Sequence, residues 1–229
     1  MVDEIIGMVA ALPAEAATIR RVQHRAGSGF RLLQGGVGAR HAAAAAQSLV
    51  DGGVTRLISW GTAGGLEPGL RAGSLIVYQA AIDAVDGHEY RCDPHTTAWL
   101  MQKLAVLGPL LKRGLTSPVP VGTETAKTEH RGRFACAAID MESTAIASVA
   151  RAAGVRFASV RVIVDPAEFS LPRCALDLVG VTDGVVRQAL TALIRRPRES
   201  FAMVRLGLSY RRAITQLSRA ARLIATQTR

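Results

Sequence analysis

The chain has 229 residues, 49% of them hydrophobic and only 4% aromatic, with a formal net charge of +10. That length suffices for one domain with a substantial core, and no run reaches the roughly 18 apolar residues of a membrane-spanning helix. The acidic start Met1-Val2-Asp3-Glu4 lacks the basic segment of a secretory signal.

The three cysteines, Cys92, Cys136 and Cys174, are scattered and form no CxxC. That excludes a disulfide framework and fits a reducing, cytoplasmic compartment. Cys92-Asp93-Pro94-His95 has no second ligand pair, so no metal site is predicted. Residues 195–229 hold nine arginines against one acid, Glu199, and so carry +8 of the +10. The basic character therefore belongs to the C-terminal segment, while the body is nearly neutral.

In chain order, Ile5–Ala11 reads as a buried strand, followed by a helix from Pro13, a residue suited to a first turn. Phe30–Gln34 is a short strand. Gly35-Gly36-Val37-Gly38 breaks the chain before the alanine-rich helix Ala39–Val50. Leu57–Trp60 is a strand entering a glycine turn, and Ser74–Gln79 another strand. Residues 80–96 read as a polar loop and Thr97–Leu107 as a helix. Val119–Val121 is a short strand weakened by Pro120. Ala137–Ile139 runs into the helix Glu142–Ala153, Val155–Val164 is the last core strand, and helix signals resume over Leu176–Arg195. This alternation predicts a three-layer α/β fold with a central, mostly parallel mixed sheet flanked by helices.

Two domains are expected, a body over 1–196 and a basic helical tail over 197–229. In the tail Tyr210, Ala213, Ile214, Leu217, Ala220, Ala221 and Ile224 recur at helical spacing, with arginines mostly elsewhere on the wheel. Such a helix can lie on an anionic membrane surface or dock on its own domain or a partner subunit; both readings stay open. Few aromatics and no nucleic-acid-binding motif argue against nucleic acid.

Two strands end on carboxylates: Ala138-Ile139-Asp140-Met141-Glu142-Ser143 and Arg161-Val162-Ile163-Val164-Asp165-Pro166. Strand ends at one edge of an α/β sheet are where such folds bind ligands. Asp140 as a helix cap and Asp165 as the start of a turn would be the plain alternatives, but neither accounts for Glu142.

These two segments, with Ile58-Ser59-Trp60-Gly61-Thr62-Ala63-Gly64-Gly65 and the opening Ile6–Glu15, resemble the purine nucleoside phosphorylase and methylthioadenosine/S-adenosylhomocysteine nucleosidase superfamily. Asp165-Pro166-Ala167-Glu168-Phe169-Ser170-Leu171-Pro172 and Arg195-Arg196-Pro197 are most similar to its hopanoid-biosynthesis-associated branch. The resemblance implies an oligomeric enzyme, cytoplasmic or peripheral at the inner membrane face, that cleaves a purine N-glycosidic bond. The substrate it implies is adenosylhopane, phosphorolysed to adenine and ribosyl-1-phosphate hopane. A hydrolytic nucleosidase, or a nucleoside- or lipid-binding protein without turnover, are the alternatives.

By the same resemblance Asp165 protonates the purine, Glu142 and Met141 hold the ribose, and Glu15 activates water in the hydrolytic relatives. Thr62, Gly64 and Ala126 are further substrate contacts. No cofactor is implied beyond inorganic phosphate as co-substrate in a phosphorylase. A phosphate arginine of the family falls on Ser59 here, so Arg20, Arg21 or Arg40 would substitute, with Gly36, Gly38, Arg40 and Thr62 as the phosphate cradle. The segment between Val121 and Ala138 is shorter than in typical nucleosidases.

Overall fold

The computed structural model describes residues 5–23, 29–176 and 200–226. In chain order these give β1 (Ile6–Ala10), α1 (Pro13–Gln23), β2 (Phe30–Gln34), α2 (Ala39–Asp51), β3 (Arg56–Gly65), β4 (Leu75–Asp83) and β5 (Glu89–Arg91). Then follow α3 (Pro94–Lys103), β6 (Leu110–Thr116), α4 (Glu124–Phe134), β7 (Ala138–Asp140), α5 (Ser143–Ala152), β8 (Arg156–Asp165), α6 (Arg173–Leu176) and α7 (Ser200–Ala225). The predicted helix over Leu176–Arg195, apart from its first residue, and the domain boundary at 196/197 lie outside the described residues.

Among the described residues the sheet has eight strands. β2, β1 and β3 run parallel, and β8 is parallel to β3 and antiparallel to β4. β4 pairs in parallel with β6, β6 in parallel with β7, and β7 returns antiparallel to the end of β3. The pairings β3–β8–β4–β6–β7–β3 thus close a ring. This closure brings the C-terminal ends of β3, β7 and β8 together, which is where the predicted acids lie.

Three sequence expectations change. β4 continues to Asp83 and β5 follows, so the loop predicted over 80–96 is mostly structured. The strand expected at Val119–Val121 is absent, and β6 stands at Leu110–Thr116 instead. Lys112, Arg113 and Gly114 mask that strand in sequence, but Gly114 is needed, because a Cβ there would lie 2.0 Å from the Tyr78 ring. Finally, the glycines after Trp60 form no turn. They continue β3, which stays paired with β8 through Gly64, with an irregularity at Ala63/Gly64. Asp93, in the short stretch considered for metal, caps α3 by accepting from the Thr96 N–H at 2.7 Å.

α7 packs into the main core. Ala213, Leu217, Ala220, Ala221 and Ile224 are buried with residues of β1, α1, β3 and β8. The apolar face that the sequence offered to a lipid surface is therefore covered by the protein itself. No helix of the described residues is long and apolar enough to cross a membrane.

Candidate active site

Glu15 is the third residue of α1 and is buried. Its Oε2 accepts the N–H of Leu12 at 3.0 Å, half of a capping box that turns the acid inward. Its Oε1 accepts from both the N–H and the hydroxyl of Thr62, at 2.8 and 2.7 Å. The Glu15 carboxylate is thereby fixed against β3.

Asp140, at the end of β7, is structural. Its Oδ1 accepts from the Thr116 hydroxyl and from the N–H groups of Glu142 and Ser143, all within 3.0 Å. Its Oδ2 accepts from the Ser143 hydroxyl at 2.7 Å and from Arg161 Nε at 3.1 Å. Burial works to raise its pKa, but Arg161 and the Ser143 donors hold it below the ordinary carboxylate value. This turn delivers Glu142 into the site just ahead of α5.

Glu142 Oε1 accepts the Gly38 N–H at 3.0 Å, and its Oε2 lies 3.9 Å from Arg161 Nη2. Burial pushes its pKa up to about 7 against the pull of Arg161, with the charge of Asp140 adding to the rise. Met141 beside it is half-buried.

Arg161 is the functional residue that the sequence reading quoted but gave no role. It stands opposite Gly61 in the β3/β8 register and is almost wholly buried. Burial disfavours its charge, yet Asp140 and Glu142 raise its pKa above the ordinary value. Its Nη2 donates to the hydroxyls of Ser59 and Ser143 at 2.6 and 3.0 Å. The position read as a missing phosphate arginine, Ser59, is thus reached by an arginine from the neighbouring strand. A Cβ on Gly61 would lie 2.6 Å from Arg161 Nη1 and 2.9 Å from both Glu15 oxygens, so cation and acid converge there. A lone charge in the apolar run of β8 is the sequence signal for it, since a buried charge must be paired.

Asp165 ends β8 and pairs with Gly64, whose Cβ, if present, would lie 3.2 Å from Oδ2. Burial pushes Asp165 up to about 6, with Lys127 opposing. Lys127 of α4 was missed in the sequence, where the segment between Val121 and Ala138 carried no expected helix. It is fully buried, with Nζ 2.6 Å from Asp165 Oδ2. Ala126, the predicted contact one residue earlier, is half-buried and gives its N–H to the Thr123 hydroxyl that caps α4.

Glu15, Thr62, Glu142 and Arg161 come together, with Gly64 further along β3 and Asp165 opposite it at the end of β8. The residues expected to cradle phosphate have protein partners or lie at the surface. Gly38 gives its N–H to Glu142, Thr62 gives both donors to Glu15, and Arg20, Arg21 and Arg40 are exposed. Gly36 holds a positive φ in the loop before α2, facing His41.

A family model for the phosphorylase superfamily matches residues 9–196. The chain belongs to the phosphorylase superfamily. That superfamily is one of enzymes, and the strand-end acids lie within the matched segment. Solved structures of the same fold include the methylthioadenosine/S-adenosylhomocysteine nucleosidase of Neisseria meningitidis in complex with methylthio-immucillin-A. It is 15% identical, with a TM-score of 0.74 over 98% of this chain and 100% of the other. The S-adenosylhomocysteine nucleosidase of Streptococcus pyogenes, in complex with 5-methylthiotubericidin, is 24% identical (TM-score 0.67, 85% and 97% covered). The futalosine hydrolase of Helicobacter pylori is 14% identical (TM-score 0.66, 83% and 99% covered). Among curated proteins none matches the sequence.

Proposed function

We propose that this superfamily member hydrolyses the N-glycosidic bond of a purine nucleoside. The observation that carries the reading is the spacing of acids along β3. Glu15 is held at Gly61–Thr62 and Asp165 at Gly64, two to three residues further on. At about 3.3 Å per residue that is roughly 7–10 Å along the strand, room for the sugar and base of a nucleoside between the two acids. Asp165 protonates a purine ring nitrogen so that the base leaves neutral. Glu15 takes the proton of the attacking water, and Glu142 binds the ribose hydroxyls beside the cationic centre.

Water is favoured over phosphate on electrostatic grounds. An anionic phosphate would meet two buried carboxylates with one cation, Arg161, and the glycine and threonine N–H groups that would receive it are already engaged. The second reading is phosphorolysis of adenosylhopane. In its support, Phe201, Val204 and Leu208 form an exposed apolar stripe at the start of α7. Arg205 of the same turns lies over the Phe169 ring, 4.7 Å from its centroid, on the loop that follows Asp165. A large apolar 5′ substituent, or a lipid surface, would meet those side chains.

Adenine release from methylthioadenosine and from adenosylhopane in detergent, each with and without phosphate, tests both. Phosphate-independent release from methylthioadenosine is the expected result. Release that requires phosphate, from either substrate, overturns hydrolysis; if it is best with the lipid substrate, the second reading takes its place.

A further inference from the structure

Lys127 Nζ has three protons and three carbonyl oxygens within reach, those of Asp165, Pro166 and Phe169 at 3.4, 2.8 and 2.9 Å. These contacts tie the loop after β8 to the first turns of α4. The carboxylate oxygen Oδ2 of Asp165 sits at 2.6 Å from the same nitrogen, a direct ion pair. Held by the carbonyls, the ammonium faces the carboxyl as a fixed positive charge in a buried pocket, where such a charge acts strongly.

No other charge does the same among the described residues. Glu168, on the loop, accepts from the Gly69 N–H. Arg205, on α7, is stacked over Phe169. From the β3 side Asp165 meets Gly64.

We propose that Lys127 is the positioning residue of the proton donor: it fixes the Asp165 carboxyl against the base and stabilises the carboxylate left there once the proton has moved. This rests on the reading of Asp165 as the acid. In the step itself the O–H bond of Asp165 breaks, its proton bonds to the purine ring nitrogen, and the electrons of the C1′–N bond go to the departing base. Water adds to C1′ and gives its proton to Glu15. The new negative charge on Asp165 then lies against Nζ. Removing the ammonium makes Asp165 a weaker acid, protonated to higher pH.

The test compares wild type, Lys127→Met, Lys127→Arg and Asp165→Asn over pH 5–9 on two substrates. One is methylthioadenosine; the other is a 4-nitrophenyl riboside, whose phenolate leaves without a proton. Lys127→Met is expected to lower kcat for adenine release by about 10²-fold. It should also move the descending limb of the pH profile up by at least about one unit, since a nearby opposite charge favours ionisation by that much. Nitrophenol release should stay within a few-fold of wild type, and Lys127→Arg should restore the limb. If Lys127→Met does not fold, Lys127→Gln, which keeps two N–H donors but not the charge, takes its place with the same expected shift. An unmoved limb, or equal loss on both substrates, overturns the inference. Asp165→Asn separates the two claims: adenine release retained in that variant overturns Asp165 as the acid. A wild-type protein that releases neither product overturns the proposed function and the inference with it.

Discussion

Glu142 Oε1 accepts the N–H of Gly38 at 3.0 Å, joining residues 104 positions apart in the chain. Gly38 has φ 95°, in the region that favours glycine, and this conformation points its N–H at the carboxylate. A loop N–H of a kind suited to an anionic ligand is thus used to hold an acid of the protein. The bond ties the loop before α2 to the turn between β7 and α5.

That acid should make stability depend on pH. Glu142 is raised from 4.5 to about 7. Between those values the folded protein keeps a proton that the unfolded chain has lost, so stability from this group falls as pH rises through that window. Asp165, raised from 3.8 to about 6, acts in the same direction. Glu142→Gln should therefore gain in stability relative to wild type between pH 5 and pH 8, by up to about 3 kcal/mol at 1.36 kcal/mol per unit, with a matching rise in relative Tm. A Tm difference independent of pH would contradict this, and differential scanning calorimetry at four pH values decides it.

Arg161 is the counter-charge of Asp140 and the donor to Ser59 and Ser143. Truncating one partner of a buried ion pair leaves the other charge unpaired, at about 3–5 kcal/mol. Urea unfolding should show Arg161→Met losing that much. The double variant Arg161→Met with Asp140→Asn should recover part of it, since both charges then go.

Gly61→Ala should separate activity from stability. The new methyl would press on Arg161 Nη1 and on the Glu15 carboxylate, the groups that converge at the proposed nucleophile. A fall of at least about 10²-fold in kcat is expected, the size seen when reacting groups are misplaced by about 1 Å, with a much smaller change in Tm. Gly69→Ala is the control: it has open space around the Cβ but φ +86°. It should lose about 1 kcal/mol to backbone strain and leave kcat alone.

Deletion of residues 200–229 should abolish cooperative folding. α7 covers β1, β3, β8 and α1 with Ala213, Leu217, Ala220, Ala221 and Ile224, and its removal would open that core to water at about 25 cal/mol per Å² of apolar surface. Circular dichroism and urea titration of the truncated chain give the answer. A cooperatively folded truncation that still cleaves a soluble nucleoside would make α7 an appendage after all.

Strand β2 was legible to the residue, and β1, β7, β8, α2, α5 and the start of α1 to within a residue or two, because each combines an apolar run with a glycine, proline or acidic stop, whereas β3 was legible only in its first half. β6 was not, since its charged residues suit a strand only in this ring and its Gly114 makes sense only beneath the Tyr78 ring. The acids Asp140, Glu142 and Asp165 stood out because a carboxylate where an apolar strand stops has few reasons to be there, and Glu15 through the family resemblance alone. The cations that govern them did not.

What the sequence determined by itself is local: strands and helices from hydrophobic period, acids from their place at strand ends, and the amphipathic face of α7. Only the tertiary structure decided which charges meet. Arg161 finds Asp140 and Glu142, and Lys127 finds Asp165, across 21, 19 and 38 residues. It also decided that Ala213, Leu217, Ala220, Ala221 and Ile224 of α7 face the core. The reason is physical. Hydrophobic period and turn chemistry act over a few residues, whereas the pairing of buried charges depends on distances that no residue spacing carries until the sheet closes.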